Sequence, residues 1–97
     1  MESMIFSKET QERITVKAGN GATEICVDVH GLSTKESIRL IRNIIALHRE
    51  PVILTVIHGY VHGMATKLAI REKQLTQRDA VIIPNPINHG VTYVSVA

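Results

Sequence analysis

Apolar positions along this chain recur with two different periods, and the changes from one to the other mark out its elements. Ile25, Val27 and Val29 alternate with Glu24, Cys26, Asp28 and His30, which predicts a strand from about Glu24 to His30 with one face on a core. Arg13-Ile14-Thr15-Val16-Lys17 alternates as well, and Ala18-Gly19-Asn20-Gly21 follows with two glycines able to take positive φ, so a hairpin leads into that strand. The period then lengthens. Ile38, Ile41, Ile44, Ile45 and His48 recur at helical spacing behind Ser33-Thr34-Lys35-Glu36, a capping-box sequence, and Pro51 stops the helix. Val52 to Ile57 is apolar at nearly every position and β-branched, the composition of a central strand buried on both faces.

His58-Gly59-Tyr60-Val61-His62-Gly63 breaks that strand. Met64 to about Leu75, with Met64, Leu68 and Leu75 beside Ala65 and Ala69, suits a second helix on the same sheet. Val81-Ile82-Ile83 and Val91 to Val96 are two further strands, joined by Pro84-Asn85-Pro86-Ile87-Asn88-His89-Gly90. Residues 1–12 are polar apart from Met4, Ile5 and Phe6 and show no period, so they are expected to be a flexible lead-in to a single domain over 13–97. Alternating strands and helices require parallel strands with right-handed crossovers, and the last two strands close as an antiparallel hairpin. The expected fold is an α/β (α+β) two-layer sandwich with a β-α-β-α-β-β core and an extra N-terminal strand.

Composition narrows this picture only slightly. Ninety-seven residues, 44% hydrophobic, support one core and leave no room for a second. A net charge of +2 is too small to imply a nucleic-acid arm or a polybasic membrane patch. With one cysteine, Cys26, no intrachain disulfide and no Cys-rich zinc module can form, which fits a reducing compartment. The N-terminus lacks the basic and apolar regions of a signal peptide, and the uncharged stretch from Ala80 to Ala97 is interrupted by Pro84, Pro86 and Gly90. A cytoplasmic protein without a membrane segment is therefore expected.

Topology gives the histidines their meaning. The carboxyl ends of parallel strands share one rim, which should gather His30, His58, His62 and His89, four of the five histidines, together with Asn85 and Asn88. Both helices start at that rim, where their free N–H groups favour an anion. Gly59 and Gly63 permit close backbone approach, and Lys67 and Arg71 lie one turn apart on the second helix. A phosphodiester suits such a site. Asp28, a carboxylate inside an alternating strand and two residues before His30 on the same face, is the most informative polar residue. Taken singly, each feature also has an ordinary role as a turn, a cap or a solvated face.

Val27-Asp28-Val29-His30-Gly31-Leu32-Ser33 resembles the Leu-Asp-x-His-Gly-Leu-Thr signature of the Smr (small MutS-related) domain, where a helix also follows. Ile57-His58-Gly59 is similar to the start of that family's His/Thr-Gly-x-Gly motif, and Gly90-Val91-Thr92-Tyr93-Val94 to its closing Gly-Val-Thr strand. The likeness spans about residues 25–96, with one departure: the second glycine of the middle motif falls on Val61. The resemblance implies a fold similar to the C-terminal domain of bacterial translation initiation factor three, and binding of DNA or RNA. Some family members are endonucleases, so a nicking activity is implied as well. Asp28 and His30 would then belong to cleavage, and His58 and Gly59 to nucleic-acid contact. Tyr60, His62, Gly63, Lys67, Arg71, Asn88 and His89 extend the expected contact surface. The domain commonly sits beside others in longer chains, so a partner protein supplying targeting is a further expectation.

Two other functions stay open at this point. One is a non-catalytic module that binds nucleic acid or protein through the rim. With Phe6, Tyr60 and Tyr93 as its only aromatic residues, the chain offers little for base stacking and points to backbone or shape recognition. The other is a hydrolase whose His30, His58, His62, His89 and Asp28 hold zinc or manganese. For the nuclease itself, Mg²⁺ or Mn²⁺ is the cofactor the chemistry would use.

Overall fold

A computed structural model describes residues 7–18, 21–59 and 63–97. Its elements run α1 (Lys8–Glu12), β1 (Ile14–Ala18), β2 (Thr23–Asp28), α2 (Thr34–Leu47), β3 (Val52–Ile57), α3 (Met64–Glu72), β4 (Ala80–Pro84) and β5 (Val91–Val96). The result is an α+β domain with a five-stranded mixed sheet. Within the stretch 1–12 read as a flexible lead-in, α1 is a short helix. The Ser7 side chain accepts from the Thr10 N–H and starts one short turn of helix, too brief to leave a period in the sequence.

The strands lie in the order β1-β2-β3-β5-β4. β1 pairs antiparallel with β2 as the hairpin pattern predicts, with Ile14 opposite Val27. β2 and β3 are parallel, with Asp28 opposite Ile57. β4 runs in their direction, yet it does not pair with β3: β5 lies between them and is antiparallel to both. Placing β5 there keeps the closing hairpin and sets its buried face beside the buried face of β3, while β4, largely exposed, takes the edge.

One face of the sheet carries Ile25, Val27, Val52, Leu54, Val56, Val94 and Val96, which join Ile38, Ile41, Ile44 and Ile45 of α2 and Ala69 and Ile70 of α3 in one core. The opposite face is open. β3 is therefore buried on one side only, and Ile53 is 40% exposed on the other, contrary to the two-sided burial its composition suggests. α2 begins with the predicted capping box: the Ser33 hydroxyl accepts from the Glu36 N–H at 3.1 Å, and the Glu36 carboxylate accepts from the Ser33 N–H at 3.2 Å. Those bonds hold the Glu36 carboxyl below its ordinary range.

α3 departs from expectation in length and orientation. It ends at Glu72, with Leu75 buried in the segment beyond, and it turns Thr66, Ala69 and Ile70 inward while Met64 and Leu68 face solvent. Among the described residues no helix is long and apolar enough to cross a membrane.

Candidate functional site

The carboxyl ends of β2 and β3 meet at one edge, as the parallel pairing requires. Past Asp28, the Val29 N–H still bonds the Ile57 carbonyl at 2.9 Å, and the chain then turns at Gly31, whose φ of 82° suits glycine. This turn folds His30 back on Asp28. Asp28 Oδ1 accepts from the His30 N–H at 3.1 Å and lies 2.5 Å from His30 Nδ1. A carboxylate can only accept here, so Nδ1 carries a proton, and Nε2, which has no partner among the described residues, is the nitrogen that serves as acceptor in the neutral ring. The imidazole is 68% exposed and the carboxyl 37%, so the pair is open to a ligand.

Arg13, just beyond α1, braces the pair from behind. Its Nη1 donates to the carbonyls of Asp28 (3.0 Å) and His30 (2.9 Å), fixing the backbone on both sides of Val29. Hydrophobic periodicity does not announce this contact, because Arg13 reads only as the first residue of an alternating strand.

His58 leaves β3 at the same edge with a different task. It continues the side-chain parity of Val52, Leu54 and Val56, and so falls on the core face, 3% exposed. Its Nδ1–H donates to the Gly59 carbonyl at 2.6 Å, and its Nε2 lies 2.9 Å from the Thr92 hydroxyl, which donates to it. Burial pushes the imidazole below its ordinary value, and the nearby Lys67 ammonium adds to this against the opposing Gly59 carbonyl. The ring is thus neutral and internally satisfied. It shapes the loop rather than presenting a nitrogen to a ligand.

The loop it shapes is tightly made. The N–H groups of His58 and Gly59 both donate to the Gly90 carbonyl, at 2.9 and 3.0 Å. Gly59 has a φ of 73°, and a Cβ there would lie 3.9 Å from the His30 Cβ, while a Cβ on Gly90 would stand 3.1 Å from the Gly59 Cα. A Cβ on Gly63 would collide with the His58 and Gly59 carbonyl oxygens, so the start of α3 sits hard against this turn. A cleft of about 530 Å³ results, lined by His30, Gly31, Gly59, Thr66, Asn88 and Gly90 with Val29, Leu32 and Val91 at its apolar base.

The predicted residues divide accordingly. Asp28, His30, Gly59, Gly63 and Asn88 come together at the rim, and Lys67 is near enough to act on His58. Asn88 is turned into its own loop, where its side-chain oxygen accepts from the Gly90 N–H, and His89 is exposed outside the cleft. Arg71 lies in the last turn of α3, about 6 Å farther along the axis than Lys67 and away from the rim. Tyr60, Val61 and His62 fall outside the described residues. Thr66 and Thr92 went unrecognised in the sequence, although Thr92 stands in the closing Gly-Val-Thr motif.

The electrostatics of the rim also differ from the simple expectation. The N-terminus of α2 is occupied by its own Glu36 carboxylate, whereas among the described residues no side chain caps α3, which leaves α3 as the helix start suited to an anion. Among the described residues no three His, Cys, Asp or Glu side chains converge where a metal could sit, and His58 has both nitrogens engaged. Comparison with protein-family models, with curated proteins and with solved structures finds no match to this chain.

Proposed function

We propose that this chain is an Smr-like domain that binds DNA or RNA at the rim and hydrolyses a phosphodiester there, in the manner of a nicking endonuclease. The observation that carries the proposal is the Asp28–His30 pair: a carboxylate holding Nδ1 of an exposed imidazole, with Nε2 unpartnered among the described residues, beside a glycine-lined cleft. Hydrolysis needs a group that takes a proton from water or hydroxyl, and a carboxylate-oriented imidazole does this through its free nitrogen. Asp28 fixes the tautomer and the direction of the ring. The uncapped start of α3, with Thr66 and Lys67, faces the phosphate and stabilises the charge that grows on it. Gly59 and Gly90 let a backbone approach that bulkier residues would block.

Asp28 Oδ1 takes both His30 bonds, which leaves Oδ2 for a hydrated Mg²⁺ or Mn²⁺ of the kind held by one carboxylate and a substrate phosphate. Such an ion would add positive charge at the phosphate oxygens. Zinc or manganese held by a set of histidines has less support, because His58 is turned to Thr92.

The test is incubation with structured DNA and RNA, with and without Mg²⁺ or Mn²⁺, scoring binding and cleavage separately. Binding with cleavage that requires Asp28 and His30 supports the proposal. Binding without cleavage under any condition would make the domain a non-catalytic module, and absence of both would remove the nucleic-acid function.

A further inference from the structure

The net charge of +2 conceals an uneven distribution. Between Ser33 and Ala80, the stretch that holds both long helices, there are eight Lys and Arg against four acidic residues, so the remainder of the chain is net acidic. Within this stretch the cations of α2 are ordered. Lys35, Arg39 and Arg42 follow one another at i, i+4 and i+7, Ala46 takes the next place, and Arg49 lies one turn beyond it, just past the helix end. All five positions are exposed, opposite the buried Ile38, Ile41 and Ile45.

Like charges at such spacing repel, and a merely solvated helix face relieves this with acids of opposite sign. Here that relief is missing. Glu36 is committed to the capping box, and among the described residues no Lys or Arg stands within ion-pair distance of an Asp or Glu side chain. At the far end the row opens into a groove of about 520 Å³ lined by Arg42, Arg49, Arg78, His48 and Thr76, with no acidic residue in its walls. Two of these arginines are held in place by main-chain oxygens. Arg42 Nε donates to the Gln74 carbonyl, and Arg78 donates to His48, Arg49, Glu50 and Ala97.

We propose that the exposed face of α2 is a polyanion ridge, along which a nucleic-acid backbone runs from the rim at Lys35 to the groove at Arg42, Arg49 and Arg78. The inference rests on the proposed nucleic-acid function and supplies what the rim lacks, since Arg13 is engaged by the carbonyls of Asp28 and His30 and Lys67 is the cation that acts on His58 there. A 14-residue helix is about 21 Å long, enough to span several phosphates.

The test uses Arg39→Gln together with Arg49→Gln, because neither side chain has a partner within the fold among the described residues. Lys8→Gln with Lys17→Gln, outside the row of α2 cations, removes the same charge as a control. Binding of a labelled DNA hairpin and a labelled RNA hairpin is measured by fluorescence anisotropy over a salt series. The ridge pair should weaken binding about tenfold and flatten the plot of log K against log salt by about 1.5, with the control pair nearly unchanged. Equal effects from the two pairs, or no effect from the ridge pair, would overturn the ridge. Those results would leave the rim intact wherever Lys67→Gln still weakens binding. Conversely, ridge-dependent binding that is never followed by cleavage would remove the catalytic reading and keep the ridge. A parent protein that binds neither hairpin would overturn both.

Discussion

At the residue scale, two histidines at the rim differ in environment according to side-chain parity. His30 follows Asp28 on the open side of the sheet and stays exposed, while His58 follows Val56 on the core side and is enclosed. Chemistry is therefore expected from the first and architecture from the second. Asp28→Asn keeps the size of the side chain and removes its charge, so cleavage should fall by roughly 10²–10⁴-fold with binding changed little, a split visible in parallel gel-cleavage and anisotropy assays. Parent-rate cleavage by this variant and by a folded His30→Ala variant would remove the assignment. For His58, Thr92→Val deletes the hydroxyl that donates to Nε2 and leaves a buried nitrogen unpaired, at a cost of about 1–3 kcal/mol in denaturant unfolding. The pH dependence has a definite sign. Because burial lowers the folded-state value of His58, the unfolded chain takes up the proton first, so this contribution to stability is complete above the unfolded value of about 6.5 and is lost as pH falls below it. A His58→Gln variant should show a flatter stability curve than the parent through that acid window. Much of this division was readable in advance: Asp28 and His30 share a period-two face, and His58 extends the parity of Val52, Leu54 and Val56. What period alone does not convey is the partner. Thr92 lies 34 positions away, and only the β3–β5 register brings it beside the ring.

At the scale of elements, the sequence announced those that carry their own stop and start signals. The capping box at Ser33 and the period-two run before it placed β2 and α2 within a residue or two, and Pro51 set the start of β3. Lateral order was not available, because alternation tells which face a strand buries and not which neighbour it chooses; hence β5 between β3 and β4 is a product of packing. The inward face of α3 was misjudged for a related reason. Met64 and Leu68 outweigh Thr66 in hydrophobicity, yet the collision that any Cβ at Gly63 would make with the β3 turn shows how closely the start of α3 is seated, and that seating turns Thr66, Ala69 and Ile70 to the sheet. Two substitutions probe these junctions. Ser33→Ala removes the acceptor for the Glu36 N–H and should cost about 1 kcal/mol without altering the rim chemistry. Gly90→Ala must displace Gly59, which stands 3.1 Å from the added Cβ, so it should cost about 1–3 kcal/mol and also lower cleavage, because Gly59 and His30 line the same cleft. A Gly90→Ala variant with parent stability and cleavage would show that the loop adjusts freely.

At the scale of the whole molecule, one face of the sheet is committed to the core and the functional groups occupy what remains: the rim at the carboxyl ends of β2, β3 and β4, and the outer surface of the helices. Under the proposed function, affinity for nucleic acid would depend on a few cations rather than on a large apolar interface, since the chain carries few aromatic residues for stacking bases. Counterion release should dominate. Binding of the isolated domain to DNA or RNA is expected in the weak range typical of non-specific contacts, with Kd of about 10⁻⁴–10⁻⁶ M at physiological salt, and log K should fall linearly as log salt rises. The slope reports how many phosphates are neutralised, so it separates two geometries. Contact by the rim alone, through Lys67 and the start of α3, should give a slope near −1 for a duplex; contact that continues along α2 adds Lys35, Arg39, Arg42 and Arg49 and should steepen it to roughly −3 to −5. An affinity indifferent to salt would contradict both geometries, because no arrangement of these residues binds a phosphate backbone without displacing its counterions.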